Sequence, residues 1–88
     1  MINLSTEDLV LLCQQTLPDD TRAFEVIVGR YKKRVFSTAY RLLDNREEAE
    51  DSSQEVFLKV YRNIKNITEP ITFEAWMHRI TVNLCLDV

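Results

Sequence analysis

The sequence predicts an all-α fold, a compact bundle of about four helices, and three observations predict it. The 88 residues include one Gly and two Pro, too few to punctuate many short strands. Apolar residues recur at spacings of three and four, the period of a helix with one buried face. Helix-start signals, a hydroxyl or Asx residue beside acidic residues, recur along the chain at Ser5, at Asp19 to Thr21 and at Asp44-Asn45. The length suits one domain, near the lower limit of what a single unstapled core can hold, and a hydrophobic content of 45% excludes a disordered tail.

Ser5-Thr6-Glu7-Asp8 starts a first amphipathic helix that uses Leu9, Leu12 and Cys13 and stops before Pro18, because the residue preceding a proline avoids the helical region. Asp19-Asp20-Thr21 starts a long second helix to about Leu43. Its apolar stripe is Phe24, Ile27, Val28, Tyr31, Val35, Thr38, Ala39 and Leu42. Opposite lies a basic cluster, Arg30, Lys32, Lys33 and Arg34, read first as a solvated face and second as a contact for phosphate or an acidic partner. Asp44-Asn45 is a turn and cap before a third helix from about Arg46 to Ile64, with Ala49, Ser53, Val56, Phe57, Val60 and Ile64 toward the core. A polar loop, Asn63 to Thr72, is expected to be the longest unstructured piece. Thr72 then caps a fourth helix with the stripe Phe73, Trp76, Met77, Ile80 and Leu84, and its outer face carries Ala75, Val82 and Leu86. The helical pattern is still running at Asp87-Val88, which reads as a fragment of something longer.

Composition excludes several functions. Cys13 and Cys85 have no metal-type spacing and His78 is the only histidine, so no metal or cofactor site is expected and a reduced, cytoplasmic setting fits. Residues Met1 to Asp8 lack the basic and apolar regions of a secretory signal, and no stretch approaches a membrane span. No nucleophile, general base or converging carboxylate pair emerges, so no catalytic residue is expected. A net charge of −3 is the wrong sign for a domain that holds DNA unaided; if DNA is a ligand, a partner must present it.

The third helix carries the chemistry. Asp51, Gln54 and Glu55 stand at i, i+3 and i+4, so their polar heads project together and can receive Arg or Lys from another helix, with Leu58 beside them as an apolar anchor. Acidic residues early in a helix and basic ones late also complement its dipole without any partner. Trp76, Arg79 and Asn83 share one edge of the fourth helix, where Arg79 could bond phosphate and Asn83 a base edge. Trp76 reads as core more than as a wedge into DNA, and His78 as a surface residue.

Two strings, Glu48-Ala49-Glu50-Asp51-Ser52-Ser53-Gln54-Glu55-Val56-Phe57-Leu58-Lys59-Val60-Tyr61-Arg62 and Phe73-Glu74-Ala75-Trp76-Met77-His78-Arg79-Ile80-Thr81-Val82-Asn83, with the gap between them, resemble region 2 of bacterial sigma factors of the extracytoplasmic-function group. The resemblance runs over nearly the whole chain. It implies that Asp51, Gln54 and Glu55 dock on the coiled coil of the largest subunit of the RNA polymerase core, and Leu58 beside them is expected to join that contact as the apolar anchor. It implies that the loop captures a flipped base from the non-template strand of the promoter's minus-10 element; from their charge, polarity and placement, Arg62, Lys65, Asn66, Thr68, Arg79 and Asn83 are expected to hold that DNA. Here the loop reads Ile67-Thr68-Glu69-Pro70-Ile71, without the Arg, Gly and Asp of many relatives, and Glu69 would repel phosphate locally. Such factors continue into a region 4 helix-turn-helix domain, for which the chain has no segment, and are commonly restrained by an anti-sigma protein, for which the apolar edge at Val82 and Leu86 is a candidate seat. The competing reading is a helical protein-interaction module that never touches nucleic acid.

Overall fold

Capping decides where each helix begins. In the computed structural model, which describes residues 3–86, Ser5 accepts the Asp8 amide at 3.0 Å and opens α1 (Thr6–Thr16), while Leu17, extended ahead of Pro18, ends it. Asp20 accepts the Arg22 amide at 3.0 Å and grips the Arg22 guanidinium, and α2 (Arg22–Leu43) starts without a cap bond from Thr21, whose hydroxyl donates instead to Glu25 Oε2 at 2.8 Å. Asp44 turns the chain in the left-handed region, φ 52°, its amide returning to the Tyr40 carbonyl. Asn45 then accepts the Glu48 amide at 2.9 Å to open α3 (Arg46–Asn63). Two single 3-10 turns, Ile64–Asn66 and Pro70–Thr72, lead into α4 (Phe73–Leu86).

The four helices pack around a main core of Leu9, Val10, Cys13, Ile27, Tyr31, Val35, Val56, Val60, Ile64, Phe73 and Met77, drawn from every helix. At the far end α2, α3 and α4 meet over a second cluster of small residues, Ala39, Ala49 and Cys85, flanked by Phe36 and Leu43. The whole measures 36 × 22 × 21 Å. Burial holds both free thiols in the protonated form, Cys13 pushed up to about 11 and Cys85 raised against an opposing hydrogen bond with Ser52. No helix among the described residues is long and apolar enough to cross a membrane.

The predicted stripes hold with three corrections. Leu42 is 43% exposed, because by the end of α2 the buried stripe runs from Ala39 to Leu43, four residues on, and turns Leu42 away from the cluster. The stretch after Asn63 is ordered: Ile64 is fully buried, as its place in the α3 stripe requires, but Ile67 also packs on the core, and the two turns close on the Ile64 and Glu69 carbonyls. Thr72 does not cap α4; its hydroxyl donates backward to the Glu69 carbonyl at 2.6 Å and closes the second turn. On α4 the deepest residues are Phe73, Met77, Thr81 and Cys85, with Trp76, Ile80 and Leu84 half-buried beside them. Thr81 is tolerated inside because its hydroxyl donates to the Met77 carbonyl at 2.9 Å. The expectation drawn from Asp87-Val88 lies outside the described residues.

Candidate protein and nucleic-acid interface

The outer face of α3 is set by its inner one. With Ala49, Val56 and Val60 buried, the helical period turns Asp51, Gln54 and Leu58 to solvent and leaves Glu55 half-buried at the edge of the same face. Among the described residues, no hydrogen bond or ion pair involves the side chains of Asp51, Gln54 or Glu55; the ion pairs are Asp20 with Arg22, Glu74 with Arg34 and Glu50 with Arg46. The helix dipole accounts for Glu47 and Glu48, which lie in the first turn beside the Asn45 cap. It does not account for Asp51 and Glu55, because the effect fades within that turn.

Beside this row, α2 and α3 leave two grooves that share Gln54. One, about 480 Å³, is lined by Phe24, Val28, Phe57, Leu58 and Tyr61, with the Phe24 and Tyr61 rings edge to face at 5.2 Å. Leu58, 48% exposed, stands on its rim. The other, about 510 Å³, places Lys32, Lys33, Phe36 and Ser37 of α2 opposite Glu50 and Ser53. An acidic and amide row with an apolar anchor beside an aromatic-floored groove suits a helix that carries both basic and apolar residues.

The residues predicted for DNA fall into two sets. Arg62 is in the last turn of α3, and Lys65, Asn66 and Thr68 follow it, all exposed. Arg79 and Asn83 are exposed on one edge of α4, where Trp76 rests half-buried with its ring 5.8 Å from that of Phe73, as a core residue would. Asn66 meets Asn63 at a long 3.5 Å, and no ion pair among the described residues uses Arg62, Lys65 or Arg79. His78 is exposed.

Three features escaped the sequence. The basic cluster divides: Lys32 and Lys33 line a groove, whereas Arg30 and Arg34 serve an internal network. Arg30 donates to the Thr6 hydroxyl at 3.2 Å, Thr6 bonds the Tyr31 hydroxyl, Tyr31 donates to Glu74 Oε2 at 2.7 Å, and Arg34 donates to the same oxygen at 3.1 Å while lying 5.2 Å from the Tyr31 ring centre. The Tyr31 hydrogen bond, reinforced by Arg34, holds the Glu74 carboxyl below its usual range against the effect of burial, and burial raises Tyr31. Gln14 on α1 reaches the segment after α3, donating to the carbonyls of Ile64 and Ile67, each at 2.9 Å. Ile71, in the second turn, is 76% exposed. The first two depend on partners tens of residues away, and no local pattern announces them. Among the described residues no group of three metal-ligating side chains gathers.

With this geometry in place, likeness to known proteins is informative. The family model described as Sigma-70 region 2 matches residues 27–88. The chain is 46% identical, over 75% of its length, to the ECF RNA polymerase sigma factor SigE of Mycolicibacterium smegmatis. It is 39% identical over 84% to the ECF RNA polymerase sigma factor SigW of Bacillus subtilis, and 31% identical over 91% to the RNA polymerase sigma-H factor of Pseudomonas aeruginosa. It spans 25%, 40% and 42% of the length of those three relatives.

Proposed function

Because this chain belongs to the Sigma-70 region 2 family, in its extracytoplasmic-function group, we propose that it is the part of a transcription initiation factor that docks on the RNA polymerase core and holds the melted minus-10 promoter element. Asp51, Gln54 and Glu55 receive basic side chains of the coiled coil of the largest subunit, and Leu58 seats an apolar residue at the mouth of the α2/α3 groove. Arg62 and Lys65 attract the strand, Asn66 and Thr68 offer polar groups to an unstacked base, and on α4 Arg79 takes phosphate while Asn83 reads a base edge. The polymerase performs the chemistry and this chain is not an enzyme. Its setting is the cytoplasm, and an anti-sigma protein would restrain it at the apolar edge formed by exposed Leu86 and half-buried Val82.

One observation carries the docking half: an acidic row beyond the reach of the helix dipole has no partner among the described residues. The net charge of −3 fits a domain that meets DNA only once the polymerase presents it. The test is the affinity of the chain for the isolated coiled coil, with and without Asp51→Lys plus Glu55→Lys. At about 1.5 kcal/mol or more for each close charge pair lost, affinity falls about a hundredfold. Unchanged affinity would show that the row is only a solvated face.

A further inference from the structure

We infer that Gln14 is a positioning residue for base capture: its side-chain amide fixes the segment Ile64 to Ile67, and so the register at which Lys65, Asn66 and Thr68 meet an unstacked strand. The inference rests on the minus-10 reading above. A primary amide nitrogen has two hydrogens. Gln14 gives one to the carbonyl of Ile64 and one to that of Ile67, each at 2.9 Å and across 50 and 53 residues of sequence. Both partners are acceptors, which fixes the nitrogen, not the oxygen, toward the loop.

The last carbonyls of a helix have no partner within it. Just past the end of α3 the Ile64 carbonyl takes the Ile67 amide at a long 3.3 Å, and a side chain from α1 adds a shorter bond to that carbonyl and one to the carbonyl of Ile67. Ile64 is fully buried and Ile67 half-buried against the core, so the two residues clamped by Gln14 are also the two whose side chains point inward. Between and beside them, Lys65, Asn66 and Thr68 are left exposed on a backbone fastened at both ends. The far side is closed by the amide and hydroxyl of Thr72 on the Glu69 carbonyl. A loop already ordered before the strand arrives loses little conformational freedom on binding, and affinity gains by that saving. Gln14 precedes the 27–88 stretch matched by the family model, so that match assigns it nothing.

The test compares wild type, Gln14→Met and Gln14→Glu, each assembled on polymerase core. The probe is a labelled single-stranded DNA enriched from a randomised pool by the wild-type assembly. Met keeps the length and removes both donors; Glu keeps the shape and sets acceptor against acceptor. Loss of two hydrogen bonds predicts about a tenfold weaker probe affinity for Met and more for Glu, with core affinity held within about twofold. Amide hydrogen exchange should accelerate over residues 64–72 and stay slow at Ile27 and Val60. Equal probe binding by all three proteins overturns the inference and leaves the minus-10 reading standing. Loss of protection and of core affinity throughout the chain overturns it too, making Gln14 a residue that only holds the fold. If the wild-type assembly enriches no sequence, the minus-10 reading falls and this inference falls with it.

Discussion

Two charged regions look alike in the sequence and differ in the folded protein. The basic run at Arg30 to Arg34 and the acidic run at Asp51 to Glu55 are each a charged face of a long amphipathic helix. In the structure Arg30 and Arg34 are drawn into a chain of hydrogen bonds through Thr6, Tyr31 and Glu74 that joins α1, α2 and α4. Asp51 and Glu55 enter no such chain. What separates them is the third partner: α2 lies between two helices that offer a hydroxyl and a carboxylate, whereas the outer face of α3 has no helix over it. A charged face is thus tied into the fold or left open to solvent by what the rest of the fold lays across it.

The largest effect that sharpens this contrast is expected at Tyr31, which is 3% exposed and joins the network to the core through Phe73, the ring centres 5.7 Å apart. Tyr31→Ala should lower unfolding free energy by about 3 to 5 kcal/mol, the range for removing a buried aromatic ring. Tyr31→Phe, which keeps the ring, should cost about 1 kcal/mol for the lost hydrogen bonds. Urea unfolding measures both. Asp51→Lys plus Glu55→Lys should stay within about 0.5 kcal/mol of wild type, as surface changes without internal partners do. A comparable loss in the acidic row would erase the distinction.

A second test uses pH. Glu74 has a folded-state pKa held below its usual 4.5, chiefly by the Tyr31 hydrogen bond and further by Arg34. Its stabilisation is therefore present above the unfolded value and is lost as pH falls through the lowered folded value. At the other end burial raises Tyr31 above 10, so that contribution is present below 10 and disappears as pH rises through the folded value. Stability against pH should fall off on both sides, and Tyr31→Phe should flatten both limbs while Glu74→Gln flattens chiefly the acid one. Asp20, held at about 2 by hydrogen bonds from Arg22, adds to the acid limb in every variant. An acid limb that survives Glu74→Gln unchanged would mean that the network contributes nothing in solution.

The helices were legible because each has a local signal: Ser5 and Asn45 cap as their positions require, and the 3- and 4-residue spacings pick out Ile27, Tyr31, Val35, Val56 and Phe73. The candidate docking row was legible for the same reason, since i, i+3 and i+4 on one helix need no tertiary information. Gln14 was not, because its two acceptors lie 50 and 53 residues away and a lone glutamine on a helix has no pattern. The loop read as unstructured because Ile67, alone in a polar stretch, does not announce that α1 will lie across it, whereas Ile64 was legible as the last core position of α3. Leu42 read as core because spacings of three and four fit the helical period equally well, and after Ala39 the fold takes Leu43 rather than Leu42.

The smallest predicted effect concerns Gly29, the only glycine, in the middle of α2 and exposed. Glycine in a helix interior is destabilising because the unfolded chain has more freedom to lose, and a Cβ built here meets nothing within 4 Å. Gly29→Ala should therefore raise stability by about 0.5 to 1 kcal/mol, read as a higher urea midpoint at unchanged slope. The same substitution reports on α2 as a surface. If polymerase affinity is unaffected, docking is confined to α3 and the groove beside it, as the unpartnered acidic row implies. A fall in affinity despite higher stability would mean that a partner's backbone approaches α2 closely at Gly29, and the contrast between the two helices would then be one of degree.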